Sequence, residues 1–192
     1  MSLDTHEFSI HTFIFSFFIC YFMNTKTGLV QDLEREFGLT SLTLQRVPEA
    51  HFSWKPHEKS YTLGELAHHV ATLPRIMLVV LQEPELDFSK LPPRRPQPVA
   101  TQQALTVAAK DIHEQVFQSL HAADETYLQQ SWTLRNGDAI ILQANRIQAI
   151  RWLGLHHMIH HRAELIIYLR LLNISVPGLY GPSADEPPVW MK

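Results

Sequence analysis

Apolar residues recur at helical spacing along most of this chain, and where the rhythm stops it stops at prolines or a tight turn. The first stretch runs from about Lys26 to Arg46, with Leu29, Leu33, Phe37 and Leu44 on one side and Pro48 just beyond. The second opens at Thr62, where Thr-Leu-Gly-Glu sets Glu65 three residues after a candidate N-cap, and reads as one helix to about Leu81. Pro84, Pro92, Pro93, Pro96 and Pro98 follow at a spacing no regular helix survives. A third stripe, Leu105, Ala108, Ile112, Val116 and Leu120, predicts a helix from about Thr101 to Ala122. Between Trp132 and Leu142, Asn136-Gly137 suits a type I′ turn and predicts a tight hairpin. The fourth helix, about Arg146 to Asn173, is the longest, with Pro177 beyond it. The expected fold is therefore all-α, a four-helix bundle with a small hairpin or irregular insertion before the last helix. Bundles of this kind build their functional sites from side chains facing inward.

Composition narrows the chemistry. Lys+Arg 16 against Asp+Glu 19 in 192 residues leaves a formal charge of -3, with no basic excess for nucleic acid. A single cysteine, Cys20, excludes an intrachain disulfide framework and a Cys-rich zinc module. Histidine is the unusual residue, with 12 in the chain, so any metal chemistry must be written in imidazole and carboxylate. The apolar run Ile10 to Phe22 is shorter than the roughly 20 residues a bilayer span needs. No Lys or Arg precedes it and no small-x-small cleavage site follows. Residues 1–22 are accordingly expected to lie outside the fold, with Met23 the start of a domain over residues 23–192 that has no membrane segment and a cytoplasmic placement.

The fourth helix carries His156-His157-Met158-Ile159-His160-His161, two overlapping pairs at i, i+4. Helical geometry of about 100° per residue separates them. With Ile150 at zero, His157 and His161 fall at about 340° and 20°, beside Tyr168 at about 0°. His156 and His160 fall at about 240° and 280°, on the flank, and Arg162 at about 120°, where a structural salt bridge is expected. On the second helix, with Leu66 at zero, His69 lies at about 300° among Val70, Leu73, Ile76, Met77 and Val80, whereas His68 lies at about 200° beside Arg75. His69, His157 and His161 are thus read as pointing inward from two helices. Three buried imidazoles left without partners would cost roughly 1–3 kcal/mol each, and a divalent ion satisfies one nitrogen of each at once. A His pair one helical turn apart brackets a metal on a shared face.

With these residues in view, the chain resembles a known family. Trp54-Lys55-Pro56, then Leu63-Gly64-Glu65-Leu66-Ala67-His68-His69, then His157-x-x-x-His161-Arg162, and the tail Val176 to Glu186, are similar to the DinB/YfiT-like superfamily of metal-binding four-helix bundles. The family's helix-two ligand falls on His69 and its helix-four pair on His157 and His161. Where the family often has Gly-Gln after His-Arg, this chain has Ala163-Glu164. The resemblance spans about Asn24 to Glu186 and has nothing to do with the polymerase that shares the DinB label. It implies a divalent-metal protein, and in some members a transferase using low-molecular-weight thiols.

Three neutral imidazoles leave a coordination position open, the pattern of a catalytic rather than a structural site. Zinc is the default ion, with nickel, iron or manganese open. Such a site suits thiol S-transfer or hydrolysis on a small molecule. Glu65 and Glu164 are the candidate general bases or ligand-orienting carboxylates. The alternative is a non-catalytic metal-binding stress-response module. A second apolar stripe on the last helix, Trp152, Leu155, Ile159 and Ile166, predicts a further neighbour, and a homodimer is the simplest one. The family resemblance leans towards dimers as well.

Overall fold

The computed structural model describes residues 25–92 and 100–191. The apolar run at Ile10 to Phe22 and the start at Met23 lie outside them. Helix α1 spans Thr25–Leu44 and buries Leu29, Leu33, Phe37 and Leu44. Helix α2, Leu63–Thr72, begins with the capping box that Thr62 and Glu65 announce. The Glu65 backbone N–H donates to Thr62 Oγ1 at 3.2 Å, and the Thr62 N–H donates to Glu65 Oε2 at 2.8 Å. The single helix expected from Thr62 to Leu81 is in fact two. Pro74 has no N–H to donate and its ring crowds the preceding turn, so the chain breaks at Leu73-Pro74 and restarts as α3, Arg75–Gln82.

A short strand β1, Glu85–Asp87, follows α3, and Thr101 caps α4, Gln102–Ala122, by accepting from the Ala104 N–H. A one-turn helix α5, Glu125–Gln129, leads into β2, Ser131–Asn136, and β3, Ala139–Asn145. The expected hairpin is present, but a purely α fold is not. β1 pairs parallel with β2, giving a three-stranded sheet in the order β1-β2-β3. The turn differs as well. Asn136 pairs with Ala139, so the two loop residues are Gly137 and Asp138, and only Gly137 has positive φ, at 60°. That is the pattern of a type II′ turn, with glycine at the first central position, rather than type I′. Asp87 Oδ1 accepts from the Gly137 N–H at 2.9 Å and ties β1 to this turn.

The last helix is Arg146–Ala149 (α6), a π-helical segment Ile150–His156, and α7, His157–Leu171. A π segment holds one more residue than the α-helix it replaces and turns everything after it back by about 100°. Corrected for that residue, Met158, Arg162, Leu165 and Leu169 fall at about 340°, 20°, 320° and 0°, in line with Ile150. These are the buried positions of α7. His157 and His161 move to about 240° and 280°, onto the flank. For His157 and His161 the inward position expected from the sequence fails because the π segment shifts the register; His69, on α2, is unaffected and half-buried.

The same correction changes the second stripe. Leu155 is buried and Ile159 and Ile166 pack on the chain's own core, which leaves Trp152 as its exposed member. The four helical layers enclose two apolar clusters. One holds Leu33, Met77, Trp132, Ile150 and Met158, and the other holds Leu44, Leu66, Leu105, Leu165 and Leu169. Among the described residues no helix is long and apolar enough to cross a membrane.

Candidate metal centre

α2 packs against α7, and this contact sets the last turn of α2 beside the first two turns of α7. His69, His157 and His161 meet there. Their ring centroids are 4.5 Å apart for His69 and His161, 5.6 Å for His69 and His157, and 4.7 Å for His157 and His161. One nitrogen from each lies within 4.8 Å of the others. The cluster sits at the edge of the bundle: His69 and His161 are half-buried and His157 is exposed.

The hydrogen bonds orient two of these rings. His161 Nδ1 faces Glu164 Oε2 at 2.7 Å, so the carboxylate holds the proton on Nδ1 and leaves a lone pair on Nε2. The His157 ring donates to the Leu153 backbone. The Nε2 atoms of His157 and His161 then confront each other at 2.9 Å. At that distance the two nitrogens can share a proton or jointly hold a cation. Tetrahedral metal–nitrogen bonds of roughly 2.0–2.1 Å set neighbouring ligand nitrogens about 3.3 Å apart, within a few tenths of an ångström of this spacing, so the donor set fits a divalent ion. Burial, and then the neighbouring histidines, push the His69 pKa down to about 4, and burial also lowers that of His157. Both rings are thereby held in the neutral form that a ligand requires.

The two candidate carboxylates have different surroundings. Glu164 engages two rings at once, with Oε1 3.1 Å from His160 Nε2 and Oε2 on His161. Glu65 gives Oε2 to the α2 cap. His156, the residue that spacing alone could not separate from its neighbour, is exposed and lies outside the cluster. Arg162 forms the expected salt bridge, fully buried against Glu36 at 2.6 Å, with Thr40 and Tyr180 completing its partners.

Beside the histidines opens a cavity of about 410 Å³, lined by Lys59, Tyr61, His161, Glu164, Ile167 and Tyr168 among others. Tyr168, which the sequence leaves between the core and the pocket lining, stands on its wall. The Tyr168 ring meets Trp54 edge-on at 5.6 Å, and its hydroxyl donates to the Tyr61 carbonyl at 3.3 Å. Lys59 and Tyr61 escaped the sequence reading because they sit in a loop with no periodicity. The available signal was their place immediately before the cap of a ligand-bearing helix.

Comparison with known proteins places the fold. The chain matches the sequence model of the DinB family over residues 23–188. It is 23% identical over 171 residues to YrdA, an uncharacterized protein of Bacillus subtilis, covering 88% of this chain and 93% of that one. The crystal structure of the DinB-like protein YjoA, also from Bacillus subtilis, matches with a TM-score of 0.58 at 22% identity, covering 83% of this chain and 98% of YjoA. YfiT from the same species is described as a probable metal-dependent hydrolase with an unusual four-helix bundle topology. It matches with a TM-score of 0.58 at 14% identity, covering 78% of this chain and 89% of YfiT. At these identities the structural likeness speaks to the fold.

Proposed function

This chain belongs to the DinB family, and on that premise we propose that it is a divalent-metal-dependent enzyme acting on a small molecule through His69, His157 and His161. One observation carries the reading: the Nε2 atoms of His157 and His161 face each other at 2.9 Å, and a ring nitrogen of His69 lies within 4.8 Å of both ligand atoms. The description of YfiT as a probable metal-dependent hydrolase supports it. Zinc is the ion we assign, since three neutral imidazoles with an open position suit it. When bound, the ion supplies Lewis acidity that favours the deprotonated form of a water or thiol in that position. Hydrolysis and thiol S-transfer, with a low-molecular-weight thiol as partner, are the two reaction classes that follow.

The chain's own residues do the rest. Glu164 orients His161 and lines the cavity, so it is the carboxylate placed to move a proton to or from a bound ligand. Glu65 fixes the N-terminus of the helix that presents His69. The cavity is what favours an enzyme over a non-catalytic metal-binding module, because storage of an ion needs no ligand space beside it. A homodimer belongs to the same proposal. Its support is the exposure of Trp152 and Leu171 on the last helix, and sedimentation of the purified chain tests it. The metal reading is tested by elemental analysis of purified protein. About one divalent ion per chain is expected, lost in His157→Ala and retained in His156→Ala. Equal loss from both variants, or none from either, would overturn it.

A further inference from the structure

The cavity places a single cation among its lining side chains. Lys59, exposed in the loop before Thr62, reaches its wall opposite no carboxylate of its own. Among the described residues its ammonium has no ion-pair partner within 4.0 Å and no hydrogen bond. The one carboxylate of the lining, Glu164, has both oxygens turned to His160 and His161. The same cavity is lined by Tyr61, Ile167 and Tyr168, which supply aromatic and aliphatic surface, and by Ser60. At about 410 Å³ the space lies in the range of small-molecule clefts, roughly 300–1,000 Å³.

We propose that Lys59 is the specificity-determining anchor of this cavity, and that the ligand it selects is a small molecule with an anionic carboxylate-type end and an apolar stem. The anion pairs with Lys59, the stem lies along Tyr61, Ile167 and Tyr168, and the opposite end reaches His161. A charge-assisted contact in a partly enclosed cleft discriminates between an anion and its neutral isostere, whereas the apolar wall binds both alike. The metal reading of the three histidines enters this inference only through the identity of the ligand's other end.

The test uses the full chain loaded with cobalt(II) in place of zinc, titrated with 3-mercaptopropionate and with its neutral counterpart 3-mercapto-1-propanol. Binding is followed by the thiolate-to-cobalt absorption. A homologous series of longer mercaptocarboxylates and mercaptoalcohols covers the span between Lys59 and the ion. At low salt the best carboxylate should bind about tenfold more tightly than the alcohol of equal length. Lys59→Met should remove that ratio and leave the affinity for the alcohol within about twofold, and Lys59→Arg should restore it. No preference in the wild type, or a preference that survives Lys59→Met, would overturn the proposal. If the chain takes up no cobalt, the metal reading fails. Calorimetry of hexanoate against 1-hexanol on metal-free protein then decides Lys59 by the same ratio and the same variants.

Discussion

At the residue scale, the two most informative side chains are a buried base and a buried ion pair, and neither touches the candidate site. His113 on α4 stacks flat on Phe37, with ring centroids 3.7 Å apart and planes 3° from parallel. Its Nε2 is buried with no hydrogen-bond partner among the described residues. Burial pushes its pKa from 6.5 down to about 4. The sign follows from which state takes the proton first. Above pH 6.5 the ring is neutral whether the chain is folded or unfolded. Between 6.5 and 4 the unfolded chain binds a proton the native state refuses, so stability falls as pH drops through that window. The slope is about 1.4 kcal/mol per pH unit, which makes the loss roughly 2 kcal/mol by pH 5. His113→Phe keeps the stack and should lessen the loss of stability between pH 7 and pH 5 by about that amount in urea titrations at the two pH values. Arg162 is the opposite case, a buried charge with every partner supplied. Arg162→Ala leaves Glu36 buried without its cation and should cost about 3–5 kcal/mol by the same titration at pH 7. Spacing made the salt bridge of Arg162 legible in the sequence, but not its depth. The partners, Glu36 and Tyr180, lie 126 and 18 residues away, beyond any local pattern.

At the scale of elements, helices α1 and α4 and the capping box of α2 could be read directly, because each rests on a local rule of spacing or capping. What escaped were features set by tertiary pairing. β1 is three residues long and acquires its conformation only by pairing with β2, nearly fifty positions later. The π segment has no sequence signature at all, yet it decides which face of α7 is buried. Gly154 within it is packed so closely that a Cβ would sit 2.5 Å from Met77 Cγ, which is why a residue without a side chain stands there. The π segment also carries a prediction. Deleting exposed Trp152 from it should let the helix close as a continuous α-helix, with Ile150 still in line with Met158, Arg162 and Leu165. The variant should fold cooperatively and match the unaltered chain in divalent-metal content. Deleting exposed Ala163, in regular α-helix, instead turns Leu165 and Leu169 about 100° out of the core and should abolish cooperative unfolding. Circular dichroism melts of the two deletions, with metal content measured on each, check the contrast. A Trp152 deletion as damaging as the Ala163 one would show that the π segment is held in place by its own contacts.

At the scale of the molecule, the three histidines were legible as a set because the i, i+4 spacing of His157 and His161 survives a register error. A shift of about 100° moves His157 and His161 together and does not separate them. Their position relative to the core did not survive it, and the site therefore lies at the bundle's edge, beside its cavity, rather than inside. This placement has a thermodynamic consequence. An ion at the cluster joins α2 to α7, two helices far apart in sequence, so it should stabilise the folded chain and have no comparable site in the unfolded one. With zinc at about a hundred times its dissociation constant, linkage adds about 2.7 kcal/mol, which for a domain of this size raises the melting temperature by roughly 5–10 °C. Scanning calorimetry with zinc and then with a chelator should show that rise and its reversal. His156→Ala should keep the full zinc-dependent shift and His157→Ala should lose it, whatever either does to the metal-free melting temperature. Glu164→Gln should fall between them, since it removes the carboxylate that fixes the His161 tautomer while leaving all three ligand nitrogens in place. An undiminished shift in Glu164→Gln would mean that His161 is oriented by packing alone.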